Sequence, residues 1–187
     1  MTSSLLTLND IHAALPEGAA RYAHIAGVVR TAEQIEKSHG KFGGNLILAE
    51  LYHDCGYAEK WRVTKFHALD GALAARQHGL SEDIAEAVLY HSGSWKEAQL
   101  LRPDIKDYYA PECLLMKTPL SRALTFCDLH TGLDGQRMSL DERAADVRHR
   151  RADIPSILQT WDEYNERFHA IENEWLPFLD TTKGLPQ

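Results

Sequence analysis

One segment of this 187-residue chain restricts its fold more than any other, the apolar run from Leu46 to Tyr52. Its side chains are apolar on nearly every side of a helix, and such a helix is buried among others. His53 and Asp54 follow directly, so an imidazole and a carboxylate stand at the end of this helix. An ionised Asp54 there loses its hydration and faces the partial negative charge of a helix C-terminus. The sequence therefore predicts a buried helix that ends at a polar site.

The rest of the chain also has helical spacing, and no stretch alternates between apolar and polar residues as a half-buried strand does. Helix-start signals stand at Asp10, Asn45, Ser81, Thr118 and at Ser139 with its capping-box partner Glu142. Glycines at positions 56, 79 and 132 are placed to end helices. We expect longer helices over about residues 17–38, 46–55, 66–78, 81–91, 118–132 and 153–176, the last opened by Asp153, with short helices near residues 10, 95 and 139. The fold class is all-α.

A single domain is expected over residues 1–187. The C-terminal helix at about 153–176 carries an apolar stripe. The stripe is either a face that packs on the core or a dimer surface. The sequence does not indicate an oligomeric state. The residues of the stripe are Trp161, Tyr164, Phe168, Ile171 and Trp175, with Phe178 just beyond.

Charge and cysteine content exclude several classes of protein. A net charge of −7 disfavours a nucleic-acid polymer as partner, because phosphate backbones attract basic surfaces. Cys55, Cys113 and Cys127 are odd in number and form no CxxC pair, so we expect buried free thiols. No run approaches the roughly 18 apolar residues of a membrane helix, and the first ten residues lack the basic start of a signal peptide. We expect a cytoplasmic protein without a membrane partner.

Asp128 repeats the arrangement of Asp54, because it follows an apolar helix a few residues before Gly132. Two buried carboxylates at helix ends require a cation. Arginine is one candidate, but none lies in either of those last helix turns, so a divalent metal is the simpler answer. The histidines agree with a metal, since His24 lies on the apolar side of its helix, while His67 begins one helix and His91 ends another.

The order His24, then His53-Asp54, then Asp128 resembles the signature of the HD-domain metal-dependent phosphohydrolases. The surrounding blocks are also similar to that family: Arg21-Tyr22-Ala23-His24, Leu51-Tyr52-His53-Asp54-Cys55-Gly56-Tyr57, Phe66-His67-Ala68-Leu69-Asp70-Gly71-Ala72, Val88-Leu89-Tyr90-His91-Ser92 and Phe126-Cys127-Asp128-Leu129-His130-Thr131-Gly132. The resemblance spans about residues 20–145 and implies that the chain is a single HD-type domain with its core over that range. The sequence after Asp54 lacks the lysine and the GYP motif of cyclic-dinucleotide phosphodiesterases, which argues against that subfamily.

The resemblance implies a centre of one or two divalent transition-metal ions, with iron, manganese, cobalt, nickel, zinc and magnesium not distinguishable. By resemblance, His24, His53, Asp54 and Asp128 would hold the first ion. His67 and His91 would hold the second ion together with Asp54, which bridges the two ions and is the catalytic residue that orients the attacking water. Arg21, Lys65 and Lys96 are the cationic residues nearest to these ligands in sequence, so they are candidates to bind substrate phosphate or, alternatively, are solvated surface charges. Tyr57 and Trp95 are candidates for the floor of a base pocket or for core packing.

The implied function is hydrolysis of a phosphate ester or anhydride in a small, nucleotide-like substrate by a metal-activated water. Two alternatives stand. Some HD-domain proteins with a similar ligand set are mixed-valent di-iron oxygenases, and ligand types alone do not separate iron from other metals. Others are non-catalytic regulatory modules, for which a damaged ligand set is expected.

Overall fold

The computed structural model describes residues 4–15, 20–110 and 116–179, and these form nine α-helices and no β-strand, which confirms the predicted all-α class. The helices are α1 (Leu8–Ala14), α2 (Ala20–His39), α3 (Asn45–His53), α4 (His67–Gln77), α5 (Glu82–Leu89), α6 (Ser94–Leu101), α7 (Pro119–Leu129), α8 (Leu140–Arg150) and α9 (Pro155–Trp175). Short 3-10 turns lie at Cys55–Tyr57, His91–Gly93, Pro103–Tyr108 and Leu176–Phe178.

Helix α3 lies at the centre of the bundle and contacts α2, α4, α5 and α7. Its residues Leu46, Ala49 and Tyr52 have no exposed surface. This confirms that the apolar run is a buried helix. Because α3 is surrounded, the two residues at its end, His53 and Asp54, are enclosed as well.

Several helix starts follow the predicted signals. Thr118 accepts a hydrogen bond from Ser121 at the start of α7, and Ser139 and Glu142 form the predicted capping box of α8. A cap also precedes α1, but it is Thr7, whose capping-box partner is Asp10. Asp10 is therefore the third residue of that helix and not its cap.

Other predicted ends were wrong by one to three residues. Gly44, with a φ of 90°, precedes α3, so Asn45 is its first residue and not the cap. The cap of α9 is Ile154 rather than Asp153. Helix α5 ends at Leu89, and His91 begins a 3-10 turn. The predicted start at Glu17 lies outside the described residues.

Gly56 does not end a helix, since α3 stops at His53 and Gly56 lies in the 3-10 turn that follows. Its role is a close contact between backbones. A Cβ at Gly56 would lie 2.5 Å from the carbonyl oxygen of His67, and one at Gly71 would lie 2.3 Å from the carbonyl oxygen of Tyr52. The two glycines let the start of α4 pack directly against the end of α3, which brings His67 beside Asp54.

Helix α9 packs on α6, α7 and α8. All five residues of its predicted stripe, from Trp161 to Trp175, are buried within the chain, in agreement with the core-packing interpretation. The limits of the domain stay a prediction. Cys55 and Cys127 are buried free thiols, whereas Cys113 lies outside the described residues. None of the described helices is long and apolar enough to span a membrane.

Candidate metal centre

Five segments bring the six predicted ligand residues together in two groups. One group is His24 from α2, His53 from the end of α3 and Asp128 from the end of α7; the other is Asp54, His67 from the start of α4 and His91 from the turn after α5. Within each group, one potential ligand atom of every residue lies within 4.8 Å of the others. The residues are therefore able to hold a metal ion in each group.

The carboxylate of Asp54 lies between the two groups and turns one oxygen to each. Its Oδ2 is 3.6 Å from His24 Nε2 and 3.5 Å from His53 Nε2. Its Oδ1 is 3.6 Å from His67 Nε2. This is the arrangement that a bridging carboxylate requires.

Three of the histidines are oriented by backbone carbonyl groups. The Nδ1 atom of His24 faces the carbonyl of Gly132 at 3.0 Å, that of His53 faces Glu50 at 2.7 Å, and that of His91 faces Val88. A carbonyl oxygen only accepts, so each Nδ1 carries the proton that it donates. In the neutral ring the lone pair is then on Nε2, which is the usual arrangement of metal-binding histidines.

The spacing of the donor atoms fits a metal ion. Two donors about 2.1 Å from one ion, at angles from octahedral to tetrahedral, lie about 3.0–3.4 Å apart. His24 Nε2 is 3.1 Å from Asp128 Oδ1, and the contacts of Asp54 with the histidines are slightly longer. The Nε2 atom of His53 is buried and has no hydrogen-bond partner among the described residues. A buried polar atom without a partner is costly unless a ligand satisfies it, and here it faces the centre of the first group.

Asp54 also has an arginine partner, which the sequence argument did not anticipate. Arg21 Nη1, from the first turn of α2, donates a hydrogen bond to Asp54 Oδ2, and its guanidinium stacks on Tyr57 at 4.1 Å. Burial raises the pKa of Asp54, but Arg21 and His53 outweigh it and hold that pKa well below its usual range. The helix ends hold no arginine of their own, yet another helix supplies one.

Asp128 is held by three partners from different elements. His24 Nε2 contacts its Oδ1, and the Ser92 hydroxyl donates to its Oδ2. The Nη2 atom of Arg143, from α8, lies 3.7 Å from Oδ1. Ser92 has a φ of 50°, and its backbone N–H donates to Thr125 Oγ1. A non-glycine residue in this left-handed region is strained, and this backbone conformation places the Ser92 hydroxyl on Asp128.

Without a metal, the histidines of the two groups of donors differ in charge. Burial opposes a charge on His53, but the carboxylates of Asp54 and Glu50 outweigh it and raise the pKa of His53 to about 10. Burial lowers the pKa of His67 to about 3, although Asp54 acts in the opposite direction. Burial also lowers the pKa of His91. His67 and His91 are therefore neutral near pH 7, as ligands must be, whereas His53 carries a proton.

A cavity of about 120 Å3 opens onto these residues. It is lined by Asp54, His67, His91 and Asp128, by Arg21, Arg143, Arg150 and Arg151, by Tyr57, Ser92, Ser94 and Glu97, and by the apolar side chains Leu129, Leu133, Val147, Ile157 and Trp161. Of the three cationic residues predicted to bind substrate, only Arg21 lines it. Lys96 pairs with Glu163 at 2.7 Å, and Lys65 is exposed. Tyr57 lines the cavity, whereas Trp95 is not among its lining residues.

Six polar residues that line the cavity were not predicted as site residues: Ser92, Ser94, Glu97, Arg143, Arg150 and Arg151. Arg143 had a detectable signal, because it lies three residues after Leu140 and four before Val147, on the buried face of α8. A charged residue on the apolar face of a helix needs a partner. Ser92 and Glu97 had none, since their positions depend on the turn after α5.

Comparison with known proteins identifies the family but not a relative of known function. The sequence profile of the HD domain matches residues 21–147, which is more than half of the chain. No curated protein matches the chain, and no solved structure matches it.

Proposed function

This chain belongs to the HD-domain family of metal-dependent phosphohydrolases, and we propose that it hydrolyses a phosphate ester or anhydride of a small, nucleotide-like molecule. One observation carries the proposal. Asp54 turns one carboxylate oxygen toward each of two groups of donors, at the edge of a cavity that is lined by four arginines. Paired divalent ions and guanidinium groups are what phosphoryl transfer needs to neutralise negative charge.

The six ligand residues would divide between two ions in the same way as the two groups of donors. His24, His53 and Asp128 would hold one ion together with Asp54 Oδ2, and His67 and His91 would hold a second together with Asp54 Oδ1. Bound divalent ions would supply a water of lowered pKa and positive charge for the phosphoryl oxygens. Asp54 fixes the relative position of both groups and is the residue best placed to orient the water.

The remaining polar side chains of the cavity have separate roles. Arg143 is buried beside Asp128, and Arg21 is beside Asp54, so both guanidinium groups are suited to contact oxygens of a phosphoryl group bound there. Ser92 fixes the orientation of Asp128 through its hydroxyl. Burial raises the pKa of Glu97 to about 7. A carboxyl that is partly protonated near neutral pH is suited to donate a proton to the departing oxygen.

The test is hydrolysis of a panel of phosphate monoesters, nucleotides and anhydrides. The protein is stripped of metal and then loaded with manganese, iron, cobalt, nickel, zinc or magnesium. We expect turnover that depends on the metal and is lost in Asp54→Ala, while Asp162→Ala, an exposed change away from the cavity, keeps it. If the fully loaded wild-type protein hydrolyses nothing in the panel, the proposal is wrong.

The iron-loaded protein also separates hydrolysis from oxygen chemistry. The same ligand types suit a di-iron oxygenase, so oxygen uptake and the electron paramagnetic resonance spectrum are recorded with the same compounds. Turnover that requires iron and consumes oxygen would show that the protein is an oxygenase and not a hydrolase. Hydrolysis under nitrogen would support a phosphohydrolase.

A further inference from the structure

Part of the cavity wall lies beyond the residues that the HD family shares. Arg150, Arg151, Ile157 and Trp161 line the cavity, and all four follow residue 147, where the family match ends. The two groups of donors come from residues 24–128. The segment that completes the cavity is therefore separate in sequence from the segment that carries the donors.

Three of the four arginines in the cavity already have carboxylate partners among the described residues. Arg21 donates to Asp54. The other pairs are Arg143 with Asp128 at 3.7 Å and with Asp146 at 3.4 Å, and Arg150 with both oxygens of Asp146 at 2.7 and 2.6 Å. Each of these three guanidinium groups is therefore partly neutralised by a carboxylate.

Arg151 differs from these three. It is the residue that caps the C-terminus of α8, and it is partly buried. Across the described ranges 4–15, 20–110 and 116–179, its side chain forms neither a hydrogen bond nor an ion pair. The carboxyl group of Glu97 interacts electrostatically with Arg151. Burial nevertheless raises the pKa of Glu97 to about 7. Within the described ranges, Arg151 is therefore the arginine of this cavity that no carboxylate oxygen approaches within 4.0 Å.

The surroundings of Arg151 strengthen its attraction for an anion. Ile157 and Trp161 line the same cavity and lower the local dielectric constant, so an electrostatic contact there is stronger than in water. Arg151 is not within 4.0 Å of a carboxylate oxygen of Asp54 or Asp128, unlike Arg21 and Arg143. Its guanidinium therefore lines the cavity without contacting the donor carboxylates.

We infer that Arg151 binds a second anionic group of the substrate, so that the substrate class is a small phosphate compound with a further negative group such as a carboxylate. This inference rests on the proposed function, because it takes the reacting phosphoryl group to lie at the two groups of donors. The cavity volume of about 120 Å3 supports it, since sites for drug-sized ligands are usually about 300–1,000 Å3. A cavity of this size suits a phosphate and a short organic chain, so the inference narrows the proposed substrate to a compound smaller than a nucleotide.

The experiment compares two probes that cannot be hydrolysed at phosphorus, propylphosphonate and 3-phosphonopropionate. They have nearly the same length and differ by a methyl group in place of a carboxylate. Their binding to the manganese-loaded protein is measured by isothermal titration calorimetry, with the manganese content determined in each sample. The variants are Arg151→Gln, the charge-conserving Arg151→Lys, and Arg148→Gln as a matched control. Arg148 lies on the same helix but pairs with Asp162 at the surface.

We expect the wild-type protein and Arg148→Gln to bind 3-phosphonopropionate about tenfold or more tightly than propylphosphonate, the effect of a charge-assisted hydrogen bond. Arg151→Gln should reduce the preference for 3-phosphonopropionate to less than about threefold and leave the affinity for propylphosphonate unchanged. Arg151→Lys should keep part of the preference for 3-phosphonopropionate. A wild-type protein that binds both probes equally overturns the inference without any variant, and so does an unchanged preference in Arg151→Gln. If neither probe binds although the loaded protein hydrolyses compounds of the panel, the inference is wrong and the proposed function stands; if the protein also hydrolyses nothing, both are wrong.

Discussion

The guanidinium of Arg21 donates a hydrogen bond to Oδ2 of Asp54, the same oxygen that faces the Nε2 atoms of His24 and His53. Arg21 thus supplies positive charge at the position where a metal ion would share this oxygen. The side chain of Asp54 is 3% exposed and that of Arg21 is 22% exposed, so the pair is largely shielded from solvent. The metal-free protein is stabilised by a charge that a bound ion would partly replace.

Arg21→Ala should therefore destabilise the metal-free protein more than the loaded one. Loss of the partner of a buried carboxylate should lower the free energy of unfolding by about 1–3 kcal/mol, and added manganese should recover most of the loss. Urea unfolding with chelator and with manganese measures both values. Arg148→Ala, which breaks an exposed pair with Asp162, should cost less than about 1 kcal/mol in both states. An equal loss with and without manganese would show that Arg21 acts through its packing on Tyr57.

The division of ligands predicts metal contents that differ between variants. His67→Ala removes a donor of one group only, so we expect one bound ion per chain. Asp54→Ala removes the carboxylate that faces both groups and should leave almost none. Elemental analysis after dialysis against manganese gives the stoichiometry. His149→Ala, an exposed histidine on α8, should keep the wild-type content, and full metal content in Asp54→Ala would contradict the bridging role.

The sequence was sufficient for the parts of the fold that depend on local patterns. The burial of α3 follows from its apolar residues alone, and the capping box of Ser139 and Glu142 was correctly predicted to start α8. Gly56 shows the limit of such patterns. A glycine after a helix usually ends it, but here it permits contact with the backbone of His67. The sequence contains the glycine but does not show which backbone approaches it.

The charge balance of the site depended on contacts that the sequence could not reveal. Asp54 and Asp128 were predicted to need a cation because their own helix turns contain none. The structure brings Arg21 and Arg143 to them from α2 and α8, so buried carboxylates alone do not establish a metal. The stronger support is the orientation of the histidines by backbone carbonyls and the partnerless Nε2 of His53.

Metal binding should release a proton from His53. In the metal-free protein the neighbouring carboxylates raise the pKa of His53 to about 10, so the ring is charged at pH 7, whereas a ligand must be neutral. Each ion bound at the first group then displaces about one proton, and its apparent affinity rises about tenfold per pH unit between pH 6.5 and 8. Calorimetry in buffers of different ionisation enthalpy counts the protons. His67, with a pKa of about 3, should contribute none, and an affinity independent of pH would contradict the prediction.

Gly56→Ala should damage the second group of donors. The added Cβ would lie 2.5 Å from the His67 carbonyl oxygen and 2.7 Å from Asp70 Cβ, so the start of α4 must move. We expect a loss of about 1–3 kcal/mol in the free energy of unfolding and weaker binding of one of two manganese ions. Gly79→Ala is the control, because its φ of 77° makes alanine unfavourable but no atom lies within 4 Å of the added Cβ. That variant should lose stability and keep both ions, and a Gly56→Ala protein with undiminished metal affinity would overturn the prediction.

Glu97→Gln should slow hydrolysis according to how much the leaving group needs a proton. Burial raises the pKa of Glu97 to about 7, and only its protonated form can donate, so its contribution falls as pH rises above about 7. For an alkyl phosphate, whose alkoxide is a poor leaving group, loss of a general acid should reduce kcat about 10²–10⁴-fold. For p-nitrophenyl phosphate, whose phenolate leaves without a proton, the reduction should be less than about tenfold. The measurement is kcat for both esters from pH 5.5 to 8.5 with manganese, and Glu163→Gln, on the exposed face of α9, is the control. An equal reduction for both esters would assign Glu97 to positioning the phosphoryl group rather than to proton transfer, because only proton transfer depends on the leaving group.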